Sequence, residues 1–224
     1  MANIFITGGG SGIGLELARL YAATGNRVMV GVRRPDHARA ALADMSVKMV
    51  HLDVTDAASI AGAVSGLDMD NIDILVNNAG VMAPDRTDDG VNVDGMRRTF
   101  DVNAIGIIAV TDAFLPLLKA SAAAKVANIT SYMGSMSSAD GGHLGYRASK
   151  AAANKISQCL ATDLAGQGIA VAAIHPGWVK TSLGGPEAPV EVADSAAGVK
   201  AVIDALSMQN TGRFWNHDGS TLPW

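Results

Sequence analysis

The stretch "NIFITGGGSGIGLELA", residues 3–18, decides the fold. Five mostly apolar residues run straight into glycines spaced Gly8-x-x-x-Gly12-x-Gly14, and a helical pattern follows at once. Strand, glycine turn and helix start form the opening of a βαβ unit. Glycines there let the backbone turn sharply and come close to a pyrophosphate, with the helix packed tightly on the sheet. The free N–H groups around Ser11 and Ile13 and the positive end of the helix dipole suit a phosphate. No Lys-Ser/Thr pair follows Gly14, so this is not a Walker loop. A Gly-rich turn alone needs no ligand; its place after the first strand of an alternating chain is what points to one.

That alternation continues outward. The runs "NIFIT" (3–7), "RVMVGV" (27–32), "VKMVHL" (47–52), "IDILVN" (72–77), "KVANIT" (125–130) and "IAVAAIH" (169–175) read as strands, apolar on both faces and therefore buried and parallel. Helical spacing covers 13–24, 36–43, 57–65, 95–120 and 146–165, with Asp56 and Asp194 as caps or first-turn acids. "GRFWN" (212–216) offers a late edge strand. The expectation is a single α/β domain over 1–224, a Rossmann-type doubly wound parallel sheet with helices on both faces and ligands at the strands' carboxyl ends.

Composition narrows the function classes. The chain has 224 residues, 49% hydrophobic and 17% charged, which excludes disordered and fibrous classes. A net charge of −4 argues against a nucleic-acid partner. No apolar run approaches the roughly 20 residues that span a bilayer, and "MANIFITGGG" leaves no room for a signal peptide, so no membrane partner is expected. The single cysteine, Cys159, fits a reducing cytoplasm. Five scattered histidines show no metal-ligand spacing, so no metal is expected, and His175 reads as a strand-end residue.

The end of the second strand selects a cofactor. An NAD enzyme places an acid about 20 residues past the glycines, on the ribose 2′-hydroxyl. Here that place holds Arg33 and Arg34, while Asp36 lies behind Pro35 and reads as a helix cap. Two guanidiniums suit a 2′-phosphate, so NADP (NADPH) is favoured over NAD.

Tyr146 and Lys150 are four residues apart on a helical stretch and so share one face. A free tyrosine titrates near 10, and a neighbouring ammonium together with a cationic nicotinamide would lower that value. With Thr7-Gly8-x-x-x-Gly12-x-Gly14, "NNAG" (77–80), Asn103, Ser131 and "PGWVKT" (176–181), the whole chain resembles the short-chain dehydrogenase/reductase family. Its tail, "HPGWVKTSLGGPEAP" and then "GRFWNHDGSTLPW", is similar to the C-factor and Sniffer-like carbonyl reductase branch.

The resemblance implies a role for each position. Tyr146 is the general acid or base, Lys150 holds the nicotinamide ribose and lowers the Tyr146 pKa, and Asn103 completes a proton relay. Asp53 and Val54 meet the adenine, and Asn78, Ala79 and Gly80 meet the adenosine ribose. Pro176, Gly177, Val179 and Thr181 hold the nicotinamide half.

The family's serine usually lies thirteen residues before the tyrosine, which here is Met133. Strand register instead selects Ser131, at the carboxyl end of the fifth buried strand and three residues before Gly134. Ser135, Ser137 and Ser138 are expected to be solvated turn residues, and Ser149 to lie off the Tyr146 face. The segment after Thr181 is short, so the lid is small, with Met133, Trp178 and Leu183 as candidate pocket residues. The expected activity is NADP(H)-dependent interconversion of a small-molecule carbonyl and an alcohol, in a homodimer or homotetramer. The alternative is a nucleotide-binding signalling or regulatory protein of the C-factor type. An intact Asn-Ser-Tyr-Lys set favours the enzyme.

Overall fold

The computed structural model describes residues 1–88 and 90–224. In chain order the elements are β1 (Asn3–Thr7), α1 (Gly12–Ala23), β2 (Arg27–Val32), α2 (Pro35–Leu42), β3 (Val47–His51), α3 (Ala57–Ser65) and β4 (Ile74–Asn77). A small exposed hairpin, β5 (Arg86–Thr87) and β6 (Gly90–Val91), leads into α4 (Val93–Phe100). A π-helical turn, Asp101–Ile105, joins α4 to α5 (Gly106–Lys119). Then follow β7 (Lys125–Ile129), a 3₁₀ turn at Tyr132–Gly134, α6 (Leu144–Ala165), β8 (Ala170–His175), α7 (Val192–Ala205) and β9 (Phe214–Asn216).

Seven strands form one sheet in the order β3-β2-β1-β4-β7-β8-β9, and every pairing within it is parallel. The expected strand at "GRFWN" is the parallel edge strand β9. Side chains alternate across the strands and bury on both faces. Ile4, Ile6, Val28 and Val30 pack under α1, α2 and α7, whereas Phe5, Met29, Leu75 and Val126 pack under α3, α5 and α6. The order reverses between β1 and β4, and this is the switch point at which such sheets open a crevice.

Asp56 caps α3 by accepting from Ala58 N at 2.9 Å, and Asp194 lies in the first turn of α7. The residue capping α2 is Arg34, with Pro35 opening the helix and Asp36 in its first turn, which corrects the expected Asp36 cap. The reason is Pro35, which prefers the first helical position and moves the boundary back. The helical stretch expected at 95–120 belongs to a continuous 27-residue helix, Val93–Lys119, which by length and composition is long and apolar enough to cross a membrane, although no unbroken apolar run marks it in the sequence. Half of its most apolar window is buried, with Val110, Phe114 and Leu118 against the sheet.

Candidate active site

The glycine loop is built by contacts that a Cβ would break. Gly8 and Gly12 have φ of +66° and +53°, and a Cβ on Gly8 would sit 3.0 Å from Ala79 Cα. A Cβ on Gly14 would meet Asn78 Nδ2 at 2.4 Å and Gly8 O at 2.7 Å. The crowding arises because Asn78 clamps the loop, its Nδ2 donating to Thr7 O at 2.9 Å and to Gly8 O at 3.2 Å. Thr7 returns the contact, its hydroxyl oxygen accepting from Asn78 N and Ala79 N, both at 3.0 Å. So β1 and β4 are tied together at the switch point, and Asn78 supports the loop with its side chain as well as lining the crevice with its backbone.

The crevice is a cavity of about 490 Å³. Gly8, Ser11, Gly12 and Ile13 form one wall, Arg33 and Arg34 the far end, and Asp53, Val54, Asn78, Ala79 and Gly80 the other wall. Gly14 is buried behind it. Both guanidiniums are exposed at its mouth, joined by His37, which sequence reading did not select. Burial raises the Asp53 pKa, but bonds from Thr55 N (3.0 Å) and Thr55 Oγ1 (2.7 Å), then the Arg33 charge, bring it below the usual carboxylate range. A dinucleotide's phosphates fit the loop, and a 2′-phosphate fits the two arginines.

A second cavity, also about 490 Å³, adjoins the first, with Thr181 and Leu183 lining both. Ser131 and Tyr146 stand together in its wall, both buried, with the Ser131 hydroxyl favouring the phenolate form of Tyr146. Ser131 is extended and caps the 3₁₀ turn, accepting from Met133 N at 3.1 Å. Three residues on, Gly134 lets α6 approach: a Cβ there would lie 2.4 Å from Lys150 C and 2.6 Å from Ala151 N. Pro176, Gly177 and Val179 line the second cavity, as do Met133, Trp178 and Leu183. Trp178 Nε1 donates to Gly184 O at 2.7 Å, and Gly184 N donates to Thr181 Oγ1 at 3.1 Å, so the short lid segment is internally braced.

Lys150 and Asn103 lie beneath the cavities. Lys150 Nζ donates to Ile129 O at 2.9 Å and sits 5.7 Å from the Tyr146 ring centre. Asn103 is fully buried inside the π turn, which widens the helix where its side chain must leave it. Its amide makes a pair of hydrogen bonds with Val81, donating to Val81 O and accepting from Val81 N, both at 2.8 Å. Asn103 Nδ2 also donates to Ser149 Oγ at 3.0 Å, and Ser149 in turn donates to Tyr146 O at 2.8 Å. Ser149 is thus buried and joins Asn103 to α6. Its place three residues after Tyr146 was the available signal, because helical serines bond the i−3 carbonyl.

Two expectations need correction. Lys150 does not bring the Tyr146 pKa down on balance: burial pushes the phenol up to about 12, against which the Ser131 hydrogen bond works. Burial likewise brings the Lys150 ammonium down to about 8. Desolvation outweighs a charge 5.7 Å from the ring centre. Ser135 is buried rather than solvated, its hydroxyl 2.8 Å from Pro223 O and 2.7 Å from Ser137 Oγ, because the final residues fold back against the turn. Ser137 is exposed as expected, and Ser138 is half-buried.

A glycine loop at the switch point, with a serine and a tyrosine from the adjoining strand end and helix in one cavity wall, defines the class of protein. Residues 2–191 match the short chain dehydrogenase family, and the chain belongs to it. It is an oxidoreductase of the short-chain dehydrogenase/reductase type, on the side of the family that holds the C-factor and Sniffer-like proteins.

The particular relatives are informative. The C-signal of Myxococcus xanthus is 43% identical over 154 residues, covering 68% of this chain and 93% of that protein. The NADPH-bound carbonyl reductase from chicken fatty liver superposes with a TM-score of 0.91 at 32% identity, over 100% of this chain and 99% of that one. Carbonyl reductase Sniffer of D. melanogaster gives 0.91 at 28%, with 100% of both chains covered.

Proposed function

We propose that the chain is an NADP(H)-dependent oxidoreductase that interconverts a carbonyl and an alcohol, with Tyr146 as general acid and base. The observation that carries this is that Ser131 and Tyr146 line one cavity together and that this cavity adjoins the glycine-loop crevice. A bound nicotinamide dinucleotide supplies or accepts the hydride. Arg33 and Arg34 grip its 2′-phosphate, and the clamped loop from Gly8 to Gly14 holds its pyrophosphate.

In reduction, the Ser131 hydroxyl donates to the substrate oxygen and steadies the charge that develops there. Tyr146 then delivers its phenolic proton to that oxygen. The phenol is protonated at neutral pH, as a donor must be, and the positive nicotinamide formed as hydride leaves would ease release of its proton. Lys150 keeps the phenol's surroundings positive, and Asn103 with Ser149 fixes α6 so that the two side chains share one face.

Support for NADP comes from the arginine pair and from relatives whose structures carry NADPH or NADP. The test is loss of NADPH absorbance with a panel of aldehydes and ketones, run beside Tyr146→Phe. Wild type should turn over, while the variant should bind NADPH and not turn over. Near-normal turnover in the variant would overturn the mechanism. NADPH binding with no carbonyl reduced by wild type would favour a signalling role like that implied by the C-signal relative's name.

A further inference from the structure

The catalytic residues occupy one end of the second cavity; the strand end at β8 supplies another polar group that they do not use. His175, the last residue of β8, is half-buried in the cavity wall. We propose that His175 is a specificity-determining residue: its ring presents a neutral N–H donor to the cavity and selects carbonyl compounds that carry a second, uncharged hydrogen-bond acceptor. This rests on the carbonyl reading above and names the substrate class for that site.

The ring's orientation comes first. Nδ1 is buried and has no hydrogen-bond partner among the described residues. Nε2, on the other side of the ring, is therefore the nitrogen that meets the cavity. Burial, then the nearby His217, holds the imidazole down at about 4, with Asp218 working the other way, so at working pH the ring is neutral. A neutral imidazole has one N–H. A buried N–H without a partner is the costlier orphan, so the bare nitrogen is Nδ1 and the proton sits on Nε2.

The rest of the wall says what the donor reads. Met82, Met133, Trp178 and Leu183 make it apolar, and among the described residues it contains no lysine, arginine, aspartate or glutamate. The wall's other histidine, His143, is exposed at the rim. A donor with no cation beside it favours a neutral acceptor over a carboxylate.

The experiment compares acetophenone with its 2-, 3- and 4-methoxy derivatives and with 4-acetylbenzoate. Binding to NADP⁺-saturated protein is followed by tryptophan fluorescence, since Trp178 lines the cavity, and kcat/KM is measured with NADPH. Wild type should bind at least one methoxy isomer about tenfold more tightly than acetophenone, the worth of one neutral hydrogen bond. His175→Phe should bring them within about twofold, leaving acetophenone and NADPH affinities unchanged, while His175→Gln, which keeps a donor near the Nε2 position, should retain the preference. His175→Leu serves the same comparison if the Phe variant does not fold. The proposal is overturned if wild type prefers no methoxy isomer, if the Phe or Leu variant keeps the preference, or if 4-acetylbenzoate binds most tightly. Equilibrium binding needs no turnover, so failure to oxidise NADPH would strike the carbonyl reading and leave the His175 result standing or falling separately.

Discussion

Replacing Ser131 and Ser135 by alanine, one at a time, separates chemistry from scaffolding within one short turn. Ser131 stands in the cavity wall with Tyr146, its hydroxyl accepting from Met133 N. On the proposed mechanism its loss removes the donor that meets the substrate oxygen, about 2.7–4 kcal/mol by comparison with a lost oxyanion-hole donor, or roughly 10²–10³ in turnover. The remaining loss, the Met133 N contact, is about 0.5–1.5 kcal/mol of stability. Ser135 is 4% exposed, with its hydroxyl shared between Pro223 O and Ser137, and it lies outside the cavity. Its partners belong to the exposed residues Ser137 and Pro223, which water can reach once the hydroxyl is gone, so its removal costs about 0.5–1.5 kcal/mol. At about 2–4 °C per kcal/mol for a chain of this size, that lowers Tm by a few degrees while turnover stays within about twofold. The assay is steady-state reduction with NADPH beside a thermal melt of each variant. A Ser135→Ala variant that loses turnover as severely as Ser131→Ala, with an unchanged Tm, would show that register at the strand end selected the wrong serine.

Removing both Arg33 and Arg34 should raise KM for NADPH by about 1–3 kcal/mol of lost charge-assisted bonding and leave kcat little changed; equal wild-type affinity for NADH and NADPH, measured by titration, would refute the assignment. Lys150→Met should stabilise the protein at neutral pH, because a buried ammonium brought from 10.5 to about 8 burdens the fold by on the order of 3 kcal/mol. The sign follows from proton counting: between pH 8 and 10.5 the unfolded chain binds the extra proton, so wild-type stability rises with pH across that window and the variant's advantage shrinks. Melts from pH 7 to 10.5 would reveal it, and a variant less stable than wild type at pH 7 would contradict it. Gly134→Ala should cost about 1–3 kcal/mol and most of the turnover, because its Cβ would overlap the α6 backbone at Lys150; a fully active variant with native Tm would show that α6 can retreat freely.

Much of this was legible because local chemistry and fold agreed. The strand-glycine-helix opening, the parallel strands and α3 follow from residue type and period, and β1, β2 and α3 have the expected bounds. Helix α7 was marked only by Asp194, since Gly198 interrupts its pattern. That glycine answers to a tertiary contact: a Cβ there would lie 2.2 Å from His217 O. The hairpin of β5 and β6 has two-residue strands with no buried face to leave a pattern. Ser131 could be found from register, but Ser135 could not be read as buried, because its partner lies 88 positions away. The Tyr146 pKa was misread for a related reason: spacing reports a neighbouring charge, whereas the depth of burial that outweighs it is a property of the folded chain.

The π turn at Asp101–Ile105 sets a limit on which length changes the chain can accept. Such a turn takes up one more residue than an α-helix would over about the same rotation and rise, so α4 and α5 keep their phase across it. Deleting a single residue from 101–105 would let the helix relax to continuous α geometry with Phe114 still meeting Phe5, whose ring centre lies at 4.5 Å. What would go is the widening through which Asn103 reaches Val81 and Ser149. A one-residue deletion inside α5 has no such slack: it would turn Phe114, Val110 and Leu118 by about 100° relative to the sheet. The same change of length is therefore expected to spare the fold and disturb only the site within the turn, and to break the core a few residues later.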